Sequence, residues 1–137
     1  MDGVDLIFHE AGHAVFRIFG SELLMVMGGT IMQLLVPAVV TFYFFTHNQK
    51  FSSSITGIWL AQSFFNVVVY ERDAWTMELP LLGGDGVIHD WNYIVTELNL
   101  VGQIKTLGNI IYGMGLVVIM LSIVAGVYYS GDKNTET

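Results

Sequence analysis

The sequence predicts an all-α, polytopic membrane protein, with about four hydrophobic helices plus one interfacial amphipathic helix. The 137 residues are 53% hydrophobic and only 12% charged, whereas a soluble domain carries roughly 25% charged residues. Three stretches, 23–45, 51–70 and 109–129, hold no formally charged residue, and about 20 apolar residues cross a bilayer core of ~30 Å. A fourth greasy segment, 6–19, carries His9-Glu10-Ala11-Gly12-His13, polar groups that are costly in a lipid-facing helix and mark function or a polar cavity.

In segment 6–19, His9, Glu10, His13 and Arg17 fall on one helical face. That face is expected to point into a bundle rather than at lipid. Asp2 and Asp5 precede it, where carboxylates suit a helix N-terminus. In stretch 23–45, Gly28-Gly29 reads as a break and Pro37 as a kink. The helix would then run over 30–45, short for a span, with 23–27 either helical or a short extended strand. Stretch 51–70 is the next helix. Residues 71–90 form the longest polar connection, and loops of this length are often functional. Residues 91–104 place Ile94, Val95, Leu98, Val101 and Ile104 near helical spacing, as in an amphipathic helix at the membrane interface. Stretch 109–129 is the clearest span, and its Ser122 and Gly126 form a small-xxx-small pair that lets another helix approach. The expected organisation is one membrane-embedded helical domain over 1–129 and a polar tail over 130–137. No repeat is present.

Several classes are disfavoured. Net charge is −7 and the five basic residues are scattered singly, which removes the basic patch that nucleic-acid binding needs. The chain has no cysteine, so disulfides and thiolate metal sites are excluded and metal ligands must be His, carboxylate or carbonyl oxygen. The N-terminus shows neither the basic region nor the cleavage site of a secretory signal, so the first segment is expected to stay in the mature protein. Basic residues divide evenly between the two sides of a four-span arrangement, Lys50 and Lys133 against Arg72 and Lys105, so the positive-inside rule assigns no orientation.

His9-Glu10-Ala11-Gly12-His13 is an HExxH motif. On a helix, positions i and i+4 share a face, so both imidazoles reach one metal ion. Glu10 is then placed as the catalytic base that takes a proton from the attacking water. Zn2+ in a catalytic site uses three protein ligands, and His9 and His13 supply two. His89, in the polar loop, is the first candidate for the third, with Asp73, Asp85 and Asp90 as alternatives. Each also has a plainer reading. Asp90 suits the N-cap of the following helix, Asp85 suits a glycine-rich turn, and Asp73 suits a solvated helix end. His47 reads as an ordinary exposed histidine. If segment 6–19 spans, His13 lies about two turns, ~10 Å, from the side of loop 71–90, so the loop has to dip inward to reach it. Gln33, Gln62 and Asn66 sit in apolar helices and need partners. They are candidates for orienting the imidazoles or polarising a substrate carbonyl, and interhelical hydrogen bonding alone explains them equally well.

Residues 9–30 resemble the intramembrane zinc metalloproteases of the site-2-protease type: His9-Glu10-Ala11-Gly12-His13, then Phe19-Gly20, then Gly28-Gly29. The resemblance implies His9 and His13 as ligands, Glu10 as catalytic base, and 23–27 as an extended segment that pairs with substrate. The family's third ligand is an aspartate in an Asn-Pro…Asp-Gly motif. Here Phe65-Asn66 followed by Asp73 lacks the proline and the glycine, and Asp85-Gly86 matches the Asp-Gly alone. The chain thus resembles a compact, divergent relative.

The expected function is zinc-dependent hydrolysis of peptide bonds in a membrane-protein or peptide substrate, in a multi-pass integral membrane protein within the lipid bilayer. The competing class is a non-catalytic metal-binding accessory subunit bound to other membrane subunits. A metal transporter is disfavoured by the scarcity of carboxylates within the spans.

Overall fold

A computed structural model describes residues 3–76 and 90–131. Among them all regular structure is helical: α1 (Gly3–Phe16), α2 (Glu22–Thr46), α3 (Lys50–Thr76), α4 (Asp90–Glu97) and α5 (Ile104–Tyr129). His89, Asp85 and most of the polar tail 130–137 lie outside the described residues.

Helix α1 gives way to a short 3₁₀ turn, Arg17–Phe19, which ends at Gly20 in the left-handed region, φ 66°. A side chain there would be strained. Ser21 then caps α2 with extended backbone, its hydroxyl accepting from the Leu24 N–H at 3.4 Å. Helix α2 runs unbroken through Gly28, Gly29 and Pro37. The break expected at Gly28-Gly29 is absent, and residues 23–27, for which an extended segment was one expectation, are helical. The glycines serve contact instead. A Cβ on Gly12 of α1 would collide with the Gly28 carbonyl of α2, and a Cβ on Gly28 would lie 2.7 Å from the Gly12 carbonyl oxygen. Bare glycine backbones let the two helices touch.

Asn48, at φ 61°, turns the chain between α2 and α3, and the Gln49 N–H closes α2 on the Phe44 carbonyl at 3.0 Å. So short a connection makes α2 and α3 antiparallel neighbours. Helix α4 is shorter than the expected 91–104. Asn99 takes φ 56°, the Leu100 N–H bonds the Val95 carbonyl at 2.7 Å, and a 3₁₀ turn, Val101–Gln103, leads into α5. Ile104 therefore begins α5 rather than ending α4.

The main contacts join α1 to α2, α2 to α3 and α3 to α5, with α4 resting on α2 and α3. Its apolar face seats Trp91 and Val95 against Val67 and Ile104, with Leu34, Tyr70 and Leu107 around them. The Ser122–Gly126 pair does receive a helix. A Cβ on Gly57 of α3 would collide with Ser122, and a Cβ on Gly126 would sit 3.1 Å from the Ser54 hydroxyl.

Among the described residues two helices are long and apolar enough to cross a bilayer, α2 and the stretch Val101–Tyr129 that contains α5. Very little of the apolar stretch of α5 is buried within the chain; Val117, Leu121, Val124 and Val127 all face outward. At 14 residues, α1 measures about 21 Å, less than the ~30 Å of a bilayer core.

Candidate metal centre

Four helices meet around the second half of α1. His9 and His13 stand one turn apart on its inner face, rings edge to face with centroids 4.7 Å apart. Asp90, the first residue of α4, reaches both with a single oxygen. Its Oδ2 lies 3.0 Å from His9 Nε2 and 3.1 Å from His13 Nε2. All three ligand atoms fall within 4.8 Å of one another. Zinc bonds of ~2.0–2.1 Å in a tetrahedron put neighbouring ligand atoms about 3.3 Å apart, so these two separations are close to what one shared ion requires.

The hydrogen bonding of His13 makes the same point chemically. Its Nδ1 donates to the Met25 carbonyl of α2 at 2.9 Å. A carbonyl only accepts, so Nδ1 carries the proton and Nε2 of a neutral ring presents a lone pair. That lone pair faces a carboxylate oxygen. Either a second proton or a cation between them removes the repulsion. A ring nitrogen that donates to a backbone carbonyl is also the usual way a metal-ligating histidine is held. His9 is buried, and its Nδ1 finds no acceptor among the described residues.

The floor of the site is Gly29. A Cβ there would stand 2.6 Å from His13 Nε2 and 2.7 Å from His9 Cε1, so any larger residue displaces both rings. The Gly12–Gly28 contact one turn away fixes the same approach. Burial works against the Asp90 carboxylate, but hydrogen bonds and charge from His13 and His9 outweigh it and hold the group down at about 2. Glu10 is exposed, and its charge acts on His13 and on Tyr70. Tyr70 of α3 closes the third side, its ring edge-on to His9 at 5.7 Å and 90°.

Of the candidates for a third ligand, Asp90 is the one found beside the imidazoles. Asp73 is buried on α3 outside this group, and His89 and Asp85 belong to the undescribed segment. Gln33 and Asn66 converge on a carboxylate, Asp5, at 3.4 and 2.8 Å, and Gln62 lies on the exposed side of α3. Asp5 is more than a helix-end charge. It is fully buried, and it also accepts from Trp59 Nε1 at 3.0 Å and from the Ser63 hydroxyl at 3.1 Å. One signal was available in the sequence, because Asp5, His9 and His13 recur every four residues on one face. Tyr70 and Gly29 had none, since what they touch is set by helix packing.

The arrangement defines a two-histidine, one-carboxylate metal centre candidate in a chain whose described regular structure is all helical. Comparison with protein-family models, with curated proteins and with solved structures finds no match.

Proposed function

We propose that this chain is a membrane-embedded, zinc-dependent peptidase, a compact and divergent relative of the site-2-protease type. The observation that carries the reading is the convergence of His9 Nε2, His13 Nε2 and the Asp90 carboxylate within 4.8 Å, with Glu10 beside them in an HExxH helix. The donor set, two imidazoles and one carboxylate, is the set that the family resemblance implies. Zinc held by these three residues supplies a Lewis acid that polarises a carbonyl and acidifies water. Glu10 takes the proton of the attacking water and delivers it to the leaving amine. Its exposure gives water a route to the carboxylate. The multi-pass reading adds α1 and α3 to the two apolar helices, with α1 embedded beside α2 rather than crossing by itself. The substrate is a peptide segment in or next to the bilayer, unwound enough to offer its backbone.

The test is zinc content and proteolysis of the full chain purified in dodecyl maltoside, with casein as an unstructured probe. The parent is expected to hold one zinc and to cleave. Glu10→Gln should keep zinc and lose cleavage, and Asp90→Ala should lose zinc while Asp73→Ala, Asp85→Ala and His89→Ala retain it. A Glu10→Gln variant as active as the parent ends the peptidase reading.

The outward apolar face of α5 favours one second reading, a non-catalytic metal-binding accessory subunit seated against other membrane subunits. A parent that binds zinc and cleaves nothing, but copurifies with a larger complex, would support it.

A further inference from the structure

Zinc in the peptidase reading polarises the scissile carbonyl, and a hydrogen-bond donor beside it would stabilise the developing oxyanion further. The residues assigned so far provide only acceptors and ligands. Glu10 and Asp90 are carboxylates, and His9 and His13 have their Nε2 atoms committed to the metal position. The helix packing brings one more polar group to this end of the bundle. Along α1, His9 stands one turn beyond Asp5. Along α3, Tyr70 stands one turn beyond Asn66, which donates to Asp5 at 2.8 Å. The two helices climb together, so the contact that ties Asn66 to Asp5 repeats one turn later as Tyr70 against His9. The ring is edge-on to His9 at 5.7 Å. It is anchored against the apolar cluster of Val67, Trp91, Val95 and Ile104, so its direction is set by packing. The ring contact sets Tyr70 of α3 directly against His9, a proposed ligand, on the side of the site that neither α2 nor α4 covers with a ligand.

We propose that Tyr70 is a further catalytic residue, whose hydroxyl donates a hydrogen bond to the substrate's scissile carbonyl oxygen as that oxygen becomes negative. The proposal rests on the peptidase reading. In the step, water oxygen bonds to the carbonyl carbon and the C=O π pair moves onto oxygen, where the Tyr70 O–H meets it. The pair then returns as the C–N bond breaks, and Glu10 delivers the proton it took from water to the leaving nitrogen. Tyr70 begins and ends the cycle with its own proton. The substrate class that follows is an extended peptide backbone entering between α1 and α3, because only an unwound segment presents a free carbonyl there.

The experiment compares the parent, Glu10→Gln and Tyr70→Phe in dodecyl maltoside, with casein cleavage, zinc content, thermal midpoint and binding of a phosphinic peptide as readouts. Removing one oxyanion donor lowers kcat by about 10²–10³. Tyr70→Phe is therefore expected to lose that much kcat, with KM within about threefold, zinc at one per chain and an unchanged midpoint. Affinity for the phosphinic peptide, which mimics the tetrahedral oxyanion, should fall at least about tenfold, the transition-state preference that such analogues report. Tyr70→His, which keeps a ring N–H donor, should recover part of the rate. Cleavage by Tyr70→Phe at the parental rate overturns the proposal, and so does unaltered phosphinic-peptide affinity. Loss of zinc from Tyr70→Phe also overturns it, by making the residue a support of His9. If Tyr70→Phe does not fold, Tyr70→His decides, and full loss of rate in that variant with zinc retained rejects donation. A Glu10→Gln variant that matches the parent removes the peptidase reading and this proposal with it, whereas an inactive Glu10→Gln beside a fully active Tyr70→Phe removes this proposal alone.

Discussion

Asp5 and Glu71 are both sealed within the bundle, at 0% and 1% exposure, and their surroundings are opposite. Asp5 lies where α1, α2 and α3 meet and accepts from Trp59, Ser63, Asn66 and Gln33. Glu71 lies between α3 and α5, and neither of its carboxyl oxygens has a hydrogen-bond partner among the described residues. Its Oε2 instead leans on Gly108, where a Cβ would stand 2.6 Å away. A buried charge with several donors rigidifies what it joins, while one with none costs stability. The Asp5 network braces the helix that carries His9 and His13, one turn below the candidate metal site. Glu71 itself supplies no such brace among the described residues, and its seam, crossed at the rim by Arg72 donating to Asn109 at 3.3 Å, joins α3 to the helix with the barest outer face.

The largest expected effect is at Asp5. Asp5→Ala removes the acceptor shared by four donors, two of them on the buried Gln33 and Ser63, and should cost about 3–5 kcal/mol, read from the thermal midpoint in detergent. An unaltered midpoint would show that the network braces nothing. Next is Gly29, whose absent side chain matters to the site rather than to the brace. Gly29→Ala should displace both imidazoles and weaken zinc binding roughly 10–100-fold, the range for disturbing the support of a ligand, measured by competition with a chelator. Retained affinity would mean that α1 and α2 can move apart freely.

Asp90 is an intermediate case, partly buried and paired with two histidines. Its folded value of about 2 lies below the ordinary ~3.9 of an unfolded aspartate. A depressed acid contributes stability that is complete above the unfolded value and lost as pH falls through the folded one. In metal-free protein that contribution, about 2 kcal/mol by linkage, should therefore be full above about pH 4 and vanish as pH approaches 2. Asp90→Asn should flatten this part of the pH–stability curve, and an identical curve would remove the pairing. The smallest effect is at Glu71. Glu71→Leu replaces an unpartnered carboxyl by an apolar group and should be neutral or stabilising by up to about 1 kcal/mol. A marked loss of stability in Glu71→Leu would show that the seam depends on the carboxyl, and the contrast with Asp5 would collapse.

Much of the fold was legible because its signals are local. Charge-free stretches mark long helices, and the Ser122–Gly126 pair marks a close helix contact. Helix ends and continuity were less legible. Gly28-Gly29 has the chemistry of a break, and nothing local tells a breaking glycine from one that admits a neighbour. The end of α4 at Glu97 depends on Asn99 turning left-handed, a choice that the apolar spacing through Ile104 conceals.

The sequence by itself determined the helical class, the apolar stretches and the pairing of His9 with His13, because spacings of three to four residues and runs of apolar side chains act through adjacent chain. Only the tertiary structure decided that Asp90 stands beside them, that Asp5 is a brace and that Tyr70 closes the site. Those relations join residues 28 to 81 positions apart, and their distances follow from how closely Gly12, Gly28 and Gly29 let α1 and α2 approach and from how α4 seats its apolar face. The physical reason is that a single carboxylate has the same chemistry anywhere in a chain, and what it does is set by the donors and lone pairs that packing brings to it.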